Sequence, residues 1–581
     1  MLVYGDVIRE EPVGEALDRL GAALRALPAR PAGLDRHAAL VAVLLDAAGL
    51  AQGLADAAFA EKGGRDGTAG ASEAAGALVA DLARAVWASW RSGFAEQPAP
   101  GLDSVARLAR ASLPATVSIR LPEGHAFYAV YPEGHAVAAR ASGLPAATRV
   151  VGIRSIGTSL GAMVAAGIGA APPVTVRPTG HPFARRLSLS PEAEARLLGA
   201  PGYAVADEGP GLSGSSFGAV ADALEDRGVA PGRIAFFPSH GGAPGPRASE
   251  RHRARWERAA RHWIGFDDLI LHAETPAHRL ATWAAGLLGP LDGPLGDLSG
   301  GAWRRRVLSD EADWPGTCGW QERRKFVAAA GGRTWLLKFA GLGREGERKL
   351  ARARALAAAG FTPAPAGLLH GFLVERWHGE ARSLDPTRAD PEILTARVGA
   401  YLGFRARSFP AASPGAGLDR LVEMARHNAG AALGAGIVRR FDRWSPGELR
   451  RLAQAVRPVE TDNRMQAWEW RVLPDGRILK TDALDHHAGH DLVGCQDIAW
   501  DVVGAEAELG LPAAALAARV AEAAGRAPDP ALLALLRPCY RAFRLGALAM
   551  AADGADPAEA GRLRREADSH AARLAGVLDG G

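Results

Sequence analysis

Two architectures in series are predicted: an α/β half built on a parallel sheet, then an α+β half. Three stretches carry that expectation. Residues 203–217, YAVADEGPGLSGSSF, read as a short buried strand, a pair of acids and a Gly/Ser loop that opens a helix, whose apolar pattern resumes over 219–224. Residues 149–153, RVVGI, give a second buried strand, followed by the small-residue loop RSIGTSLG and a helix from Ala162. Beyond the Gly/Pro-rich passage 289–301 the pattern changes to a strand at 333–339, a helix at 344–359 and a strand within 370–379. At 581 residues the chain exceeds one core, so four segments are expected: a helical extension over 1–101, an α/β domain over 102–246, a helical linker over 247–301 and an α+β domain over 302–581.

In chain order, Leu17, Leu20, Leu24 and Leu27 mark a first amphipathic helix. Residues 37–60 form an alanine-rich second, and a third carries Trp87 and Trp90 one turn apart, both read as core. A break at 98–101 ends this section. A ten-residue echo follows, PEGHA at 122–126 and again at 132–136. The strand 234–240, IAFFPSH, closes the α/β core; Phe236 and Phe237 could stack on a base or pack inside. The basic helix 247–262 puts Arg251, Arg253, Arg255 and Arg258 on a solvated face.

Composition excludes several classes. With 48% hydrophobic and 23% charged residues the chain is ordinary for a globular enzyme. A net charge of +4 without a basic, aromatic-interleaved block argues against nucleic acid. Cys318, Cys495 and Cys539 are far apart, which fits a reducing compartment and no metal-spaced pair. Asp46 and Asp56 interrupt the most apolar stretch, and no signal-peptide core opens the chain, so a cytoplasmic protein without a membrane partner is expected. Oligomeric state is left open.

Asp207 and Glu208 would lie at a strand's carboxyl end, where open α/β sheets keep ligands. Gly211, Ser213, Gly214, Ser215 and Ser216 would place unpaired helix N–H groups outward, which favours a phosphate; the bland alternative is an acid-flanked turn with no ligand. The arrangement resembles the phosphoribosyl-diphosphate motif of type I phosphoribosyltransferases. That resemblance implies that Asp207 and Glu208 hold the ribose hydroxyls, with Asp207 beside magnesium, and that the loop 211–216 holds the 5-phosphate. It implies further that Ser155, Gly157 and Thr158 bind pyrophosphate, and that Arg177 and Arg185 neutralise the leaving charge. The 122–136 echo would be a hood over the acceptor, with Glu123, His125, Tyr131 and Glu133 as contacts. Gly209-Pro210-Gly211 makes the acid-to-loop segment longer than that family's pattern.

Lysine is scarce, confined to Lys62, Lys325, Lys338, Lys349 and Lys480, so a lysine at a strand end stands out. Lys338 closing RTWLLK, a helix with Glu345 and Glu347 in its first turns, a strand with Glu375, and the loop–DG-hairpin–loop of 461–487 resemble the protein-kinase-like fold of aminoglycoside phosphotransferases. The resemblance implies ATP and magnesium. Lys338 would grip the nucleotide phosphates, positioned by Glu345; Asp462 would be the catalytic-loop acid and Asp482 the metal ligand. Asp497 and Asp501 would brace the catalytic loop. No histidine precedes Asp462, no glycine-rich loop precedes Lys338, and no asparagine sits at the second metal position, for which Gln466 and Glu469 are the candidates. Asp482, Asp485, His486, His487, His490 and Asp491 also admit a zinc or iron reading.

The sequence therefore reads first as a phosphoribosyltransferase acting from phosphoribosyl diphosphate on a base or nitrogenous metabolite, fused to a small-molecule kinase. Two alternatives stand beside it: a sensor of that diphosphate with a pseudokinase half, and a kinase regulated by a non-catalytic first half.

Overall fold

Runs of valine and alanine that are buried on both faces make the central sheet of the first half. The strands Arg149–Ile153, Tyr203–Ala206 and Ile234–Phe237 are buried along nearly their whole length, as parallel strands covered by helices on both sides must be. The computed structural model describes residues 1–5, 7–96, 102–319 and 321–579; the expected break at 98–101 lies outside them. The sheet is five-stranded and parallel throughout, in the order Val174–Val176, Arg149–Ile153, Tyr203–Ala206, Ile234–Phe237, Ala260–Arg261. Its last strand comes from the segment expected to be linker, because His262 N–H donates to Phe236 C=O and extends the ladder past 246.

Helix Gly157–Ile168 lies hard against this sheet. A Cβ on Gly157 would come within 2.6 Å of the Ala206 carbonyl oxygen, so only glycine lets the loop after the first strand sit beside the strand that ends in the acids. The helical extension packs on the far side of that helix through Leu34–Glu61 and Gly70–Arg91. Leu34–Glu61 is long and apolar enough to cross a membrane by length and composition, and two thirds of its most apolar window, 67%, is buried inside the protein.

The second half opens on a five-stranded antiparallel sheet, ordered Gly296–Asp297, Lys325–Ala330, Arg333–Phe339, Phe372–Arg376, Pro365–Leu369. Its edge strand again belongs to the expected linker. Gly331 and Gly332, at φ 58° and 67°, make a two-residue hairpin turn, so the first two long strands are joined by a tight turn rather than a phosphate-covering loop. Helix Gly343–Ala358 crosses this sheet, and a helical lobe follows around Pro391–Ser408, Leu418–Leu433, Ala499–Leu509 and Pro530–Asp553.

The halves are not beads on a string. One hydrophobic core joins Leu44 and Leu82 of the extension, Tyr131 of the echo and Phe339, Phe372 and Val374 of the antiparallel sheet. The first residues run to the helical lobe: Gly5 N–H donates to His490 C=O at 2.8 Å, Leu492 N–H to Val3 C=O at 2.8 Å, and Asn428 bonds both backbone groups of Leu2.

Candidate functional site

Two clefts gather the chemistry. The larger, about 360 Å³, lies between the antiparallel sheet and the helical lobe. Lys338 points into it from the strand Arg333–Phe339 and pairs with Asp482, which sits just past the hairpin Trp470–Val472/Ile478–Lys480. Burial alone would raise the Asp482 carboxyl, but Lys338 and His486 outweigh it and hold the group well below the usual carboxylate range. Glu375, on the neighbouring strand, is pushed up to about 7 by burial, with Lys338 pulling the other way.

Beneath the cleft the loop 461–466 is held by backbone bonds. Asp501, in the first turn of Ala499–Leu509, accepts from the N–H of Asp462 at 2.7 Å and of Asn463 at 2.9 Å. Burial, reinforced by the Asp462 charge, raises the Asp501 carboxyl to about 6. Asp497 accepts from Arg457 N–H at 2.9 Å and steadies the loop's approach.

Asp462 itself is sealed off. Its side chain is 0% exposed, Tyr401 donates to one carboxylate oxygen, and Lys480 lies 3.5 Å from that oxygen. Against burial, Lys480, His486 and Arg405 keep it ionised. The group between Asp462 and the cleft is His486: its Nδ1 is hydrogen-bonded to the Asp462 backbone carbonyl at 3.1 Å and lies 3.4 Å from Asp462 Oδ1, and its Nε2 is 3.7 Å from Asp482 Oδ1. The expectation that Asp462 reaches a substrate directly is corrected accordingly; the reach belongs to His486.

Glu345 is a second correction. It lies away from Lys338, beside Arg9 and Arg348. The helix turns Lys349 inward instead, buried and bonded to Asp485 at 2.8 Å and to the Ala126 carbonyl at 3.2 Å. Lys338 needs no helix glutamate because Asp482 already supplies its counter-charge. Glu469 forms a 2.7 Å pair with Lys480, and burial raises its carboxyl. Gln466 lines the cleft with both amide atoms buried and without a hydrogen-bond partner among the described residues. With Asp482 and Glu469 close together, these oxygen atoms fit a small hard cation.

The second cleft is the carboxyl end of the parallel sheet. Asp207 and Glu208 follow Tyr203–Ala206, and Glu208 Oε2 accepts from Gly124 N–H at 3.2 Å. Burial pushes Asp207 up to about 7; burial and the Asp207 charge push Glu208 up to about 8. Across from them lies the exposed hairpin Thr179–His181/Ala184–Arg186, which carries Arg185. The Pro182 carbonyl accepts from Ser215 Oγ at 2.7 Å and Ser213 Oγ at 3.3 Å, so those hydroxyls fasten the hairpin to the loop. Gly211 and Gly214 take φ 54° and 64° ahead of helix Ser215–Glu225, leaving Ser216 in its first turn. Ser155, Gly157 and Thr158 line the neighbouring strand-to-helix loop, and Thr158 Oγ1 is buried without a partner.

Arg177 is corrected: it is committed to Asp56 through Nε at 2.9 Å, and Asp66 accepts its backbone N–H at 2.8 Å. Arg154 shares both carboxylates. The extension thus supplies the counter-charges for this cleft's arginines. The only sequence sign was Asp56 standing in an apolar helix. His125 and Tyr131 are bonded internally, to Ser159 and to the His370 carbonyl, and Glu133 is fully buried; of the echo's expected contacts Glu123 is the partly exposed one, and it faces His490. Phe236 and Phe237 are core, and Arg255 is paired with Asp222 and Glu225 rather than solvated.

The clefts adjoin through Glu123–Phe127. Gly124 bonds Glu208, while Glu123 Oε2 is 3.3 Å from His490 Nδ1, and His490 and Tyr128 line the larger cleft.

No family model and no curated protein matches the chain. Among solved structures it is similar to choline kinase LicA from Streptococcus pneumoniae, at 14% identity and TM-score 0.31 over 43% of this chain and 89% of that one. It is also similar to a choline/ethanolamine kinase family protein from Mesorhizobium loti, at 17% identity and TM-score 0.34 over 51% of this chain and 92% of that one. A third is spectinomycin phosphotransferase APH(9)-Ia in complex with ADP and spectinomycin, at 13% identity and TM-score 0.33 over 52% and 97%. With TM-scores below 0.5, these likenesses leave the chemistry to the side chains.

Proposed function

We propose that the larger cleft transfers the terminal phosphoryl group of ATP to a hydroxyl of a small molecule. The observation that carries this reading is the Lys338–Asp482 pair facing His486, with Asp462 behind it on a loop held by Asp501. Lys338 positions the nucleotide phosphates and offsets their charge. His486 Nε2 takes the proton of the acceptor hydroxyl as its oxygen bonds to phosphorus and the bond to the departing ADP breaks; Asp462 orients the ring and stabilises its charged form. Asp482, with Gln466 and Glu469, would hold magnesium, which would supply charge neutralisation on the phosphates. The test is ADP release with magnesium-ATP and a panel of small hydroxyl compounds, for the wild type, His486→Ala and Lys338→Ala. Acceptor-dependent release lost in both variants supports the reading; ATP binding without turnover for any acceptor sinks it in favour of a sensor.

A second activity has its own supporting observation. A wholly parallel sheet ends in Asp207 and Glu208, opposite a Gly/Ser loop and an exposed arginine hairpin. This suits phosphoribosyl transfer: a nucleophile on a base or nitrogenous metabolite bonds to the anomeric carbon as pyrophosphate leaves. The acids, once ionised, accept from the ribose hydroxyls, and Arg185 meets the departing charge. Pyrophosphate release from phosphoribosyl diphosphate, compared in wild type and Asp207→Asn, decides it.

A further inference from the structure

Three elements far apart in sequence converge on one point that neither activity uses. His37 comes from Leu34–Glu61, Glu133 from Pro132–Ala141, and His370 from the turn between Pro365–Leu369 and Phe372–Arg376. His37 Nε2 lies 2.9 Å and His370 Nε2 2.8 Å from the same oxygen, Glu133 Oε1. The three side chains are 0%, 0% and 2% exposed.

We propose that this His37–Glu133–His370 cluster is a structural site for a divalent transition metal, zinc above all, that ties the helical extension, the parallel-sheet half and the antiparallel sheet together.

Hydrogen bonding alone leaves the cluster incomplete. Both imidazoles crowd Oε1, while Glu133 Oε2 is fully buried with no hydrogen-bond partner among the described residues. A buried carboxylate oxygen in that state is costly; against burial, the two imidazoles hold the carboxyl below its usual range, but both do so through the other oxygen. A divalent ion among the three groups would engage the free oxygen and offset the charge. The other nitrogen of His37 is bonded to Ser89 Oγ at 2.9 Å, an outer partner of the kind that fixes which ring nitrogen faces a metal. The rings of Trp90, Phe94 and Tyr131 pack against the cluster's imidazoles. Two imidazoles and a carboxylate able to bind through both oxygens make a closed set suited to zinc. Magnesium would prefer an oxygen site that retains water.

The test uses the full chain with any tag removed. Elemental analysis is expected to find about one zinc per chain, bound through extensive dialysis. Cobalt loaded in its place should give the visible bands of a tetrahedral nitrogen/oxygen site, and stripping the metal should lower Tm by several degrees, restored on adding zinc. His370→Asn should lose the metal, and His486→Asn, in the other histidine-containing cluster, should keep it. If His370→Asn fails to fold, the wild-type stoichiometry and cobalt spectrum still decide. A metal-free chain that takes up neither zinc nor cobalt and melts alike with and without chelator overturns the proposal. So does a metal lost with His486→Asn but kept with His370→Asn.

Discussion

The two clefts treat the same residue type in opposite ways. At the end of the parallel sheet Asp207 and Glu208 are pushed up to about 7 and 8, because burial meets no committed cation. Of the arginines there, Arg154 and Arg177 are already taken by Asp56 and Asp66, and the pull of Arg185 on Asp207 does not offset its burial. In the larger cleft Asp482 and Asp485 are also enclosed, yet Lys338 and Lys349 hold them well below the usual carboxylate range. Burial sets the penalty, and the placement of five scarce lysines decides which acids stay charged. One site keeps charged acids beside a lysine; the other keeps its acids close to neutral.

The largest expected effect removes the lysine that makes the difference. Lys338→Ala should cut ATP-dependent turnover by about 10²- to 10⁴-fold, the range for losing a preorganised charge at the reacting group, and leave pyrophosphate release at the other cleft unchanged; steady-state kinetics at both sites reads it. Next, Asp501→Ala leaves two buried N–H groups unpaired in the loop behind His486. A loss of about 2 to 6 kcal/mol in denaturant unfolding is expected, at about 1 to 3 kcal/mol per orphaned donor.

A pH series sharpens the contrast itself. Asp207 and Glu208 have raised folded values, so their stabilising contribution is complete below the ordinary carboxyl range and is lost as pH rises through about 7 and 8. Asp482 is depressed, so its contribution is present above the ordinary range and is lost as pH falls below it. The free protein should therefore lose Tm between pH 5 and 8 by an amount, set by this pair, that disappears in the Asp207→Asn/Glu208→Gln double variant. The smallest effect is expected at Glu345→Gln, within about 0.5 kcal/mol, because its partners Arg9 and Arg348 are surface groups. A large loss of turnover there would revive the helix glutamate as Lys338's partner.

Local patterns made the strands, the Gly/Ser loop and the DG hairpin legible, since each is written within some ten residues. Asp501 beneath the loop 461–466 was legible only through the resemblance to the aminoglycoside phosphotransferases, and its bonds to Asp462 and Asn463 match that placement. What escaped was long-range pairing. Lys349 replaces Glu345 inward because Asp485, 136 residues later, meets it. Asp56 holds Arg177 across 121 residues, and His37 meets Glu133 across 96. Nothing periodic marks such pairs; each appears locally as one polar residue on an apolar face. Asp462 was read as substrate-facing because its position along the chain does not reveal that His486 covers it.

The strand-like run of Val3 to Gly5 has a consequence for the order of events during synthesis. Its partners are Asn428, His490 and Leu492. At roughly 5 to 20 residues per second, these residues wait roughly 25 to 100 s for the partners that receive them. The helical lobe cannot close its Tyr4–His490 contact until the segment around His490 has emerged. Completion of the larger cleft therefore comes long after the parallel sheet has had the chance to form.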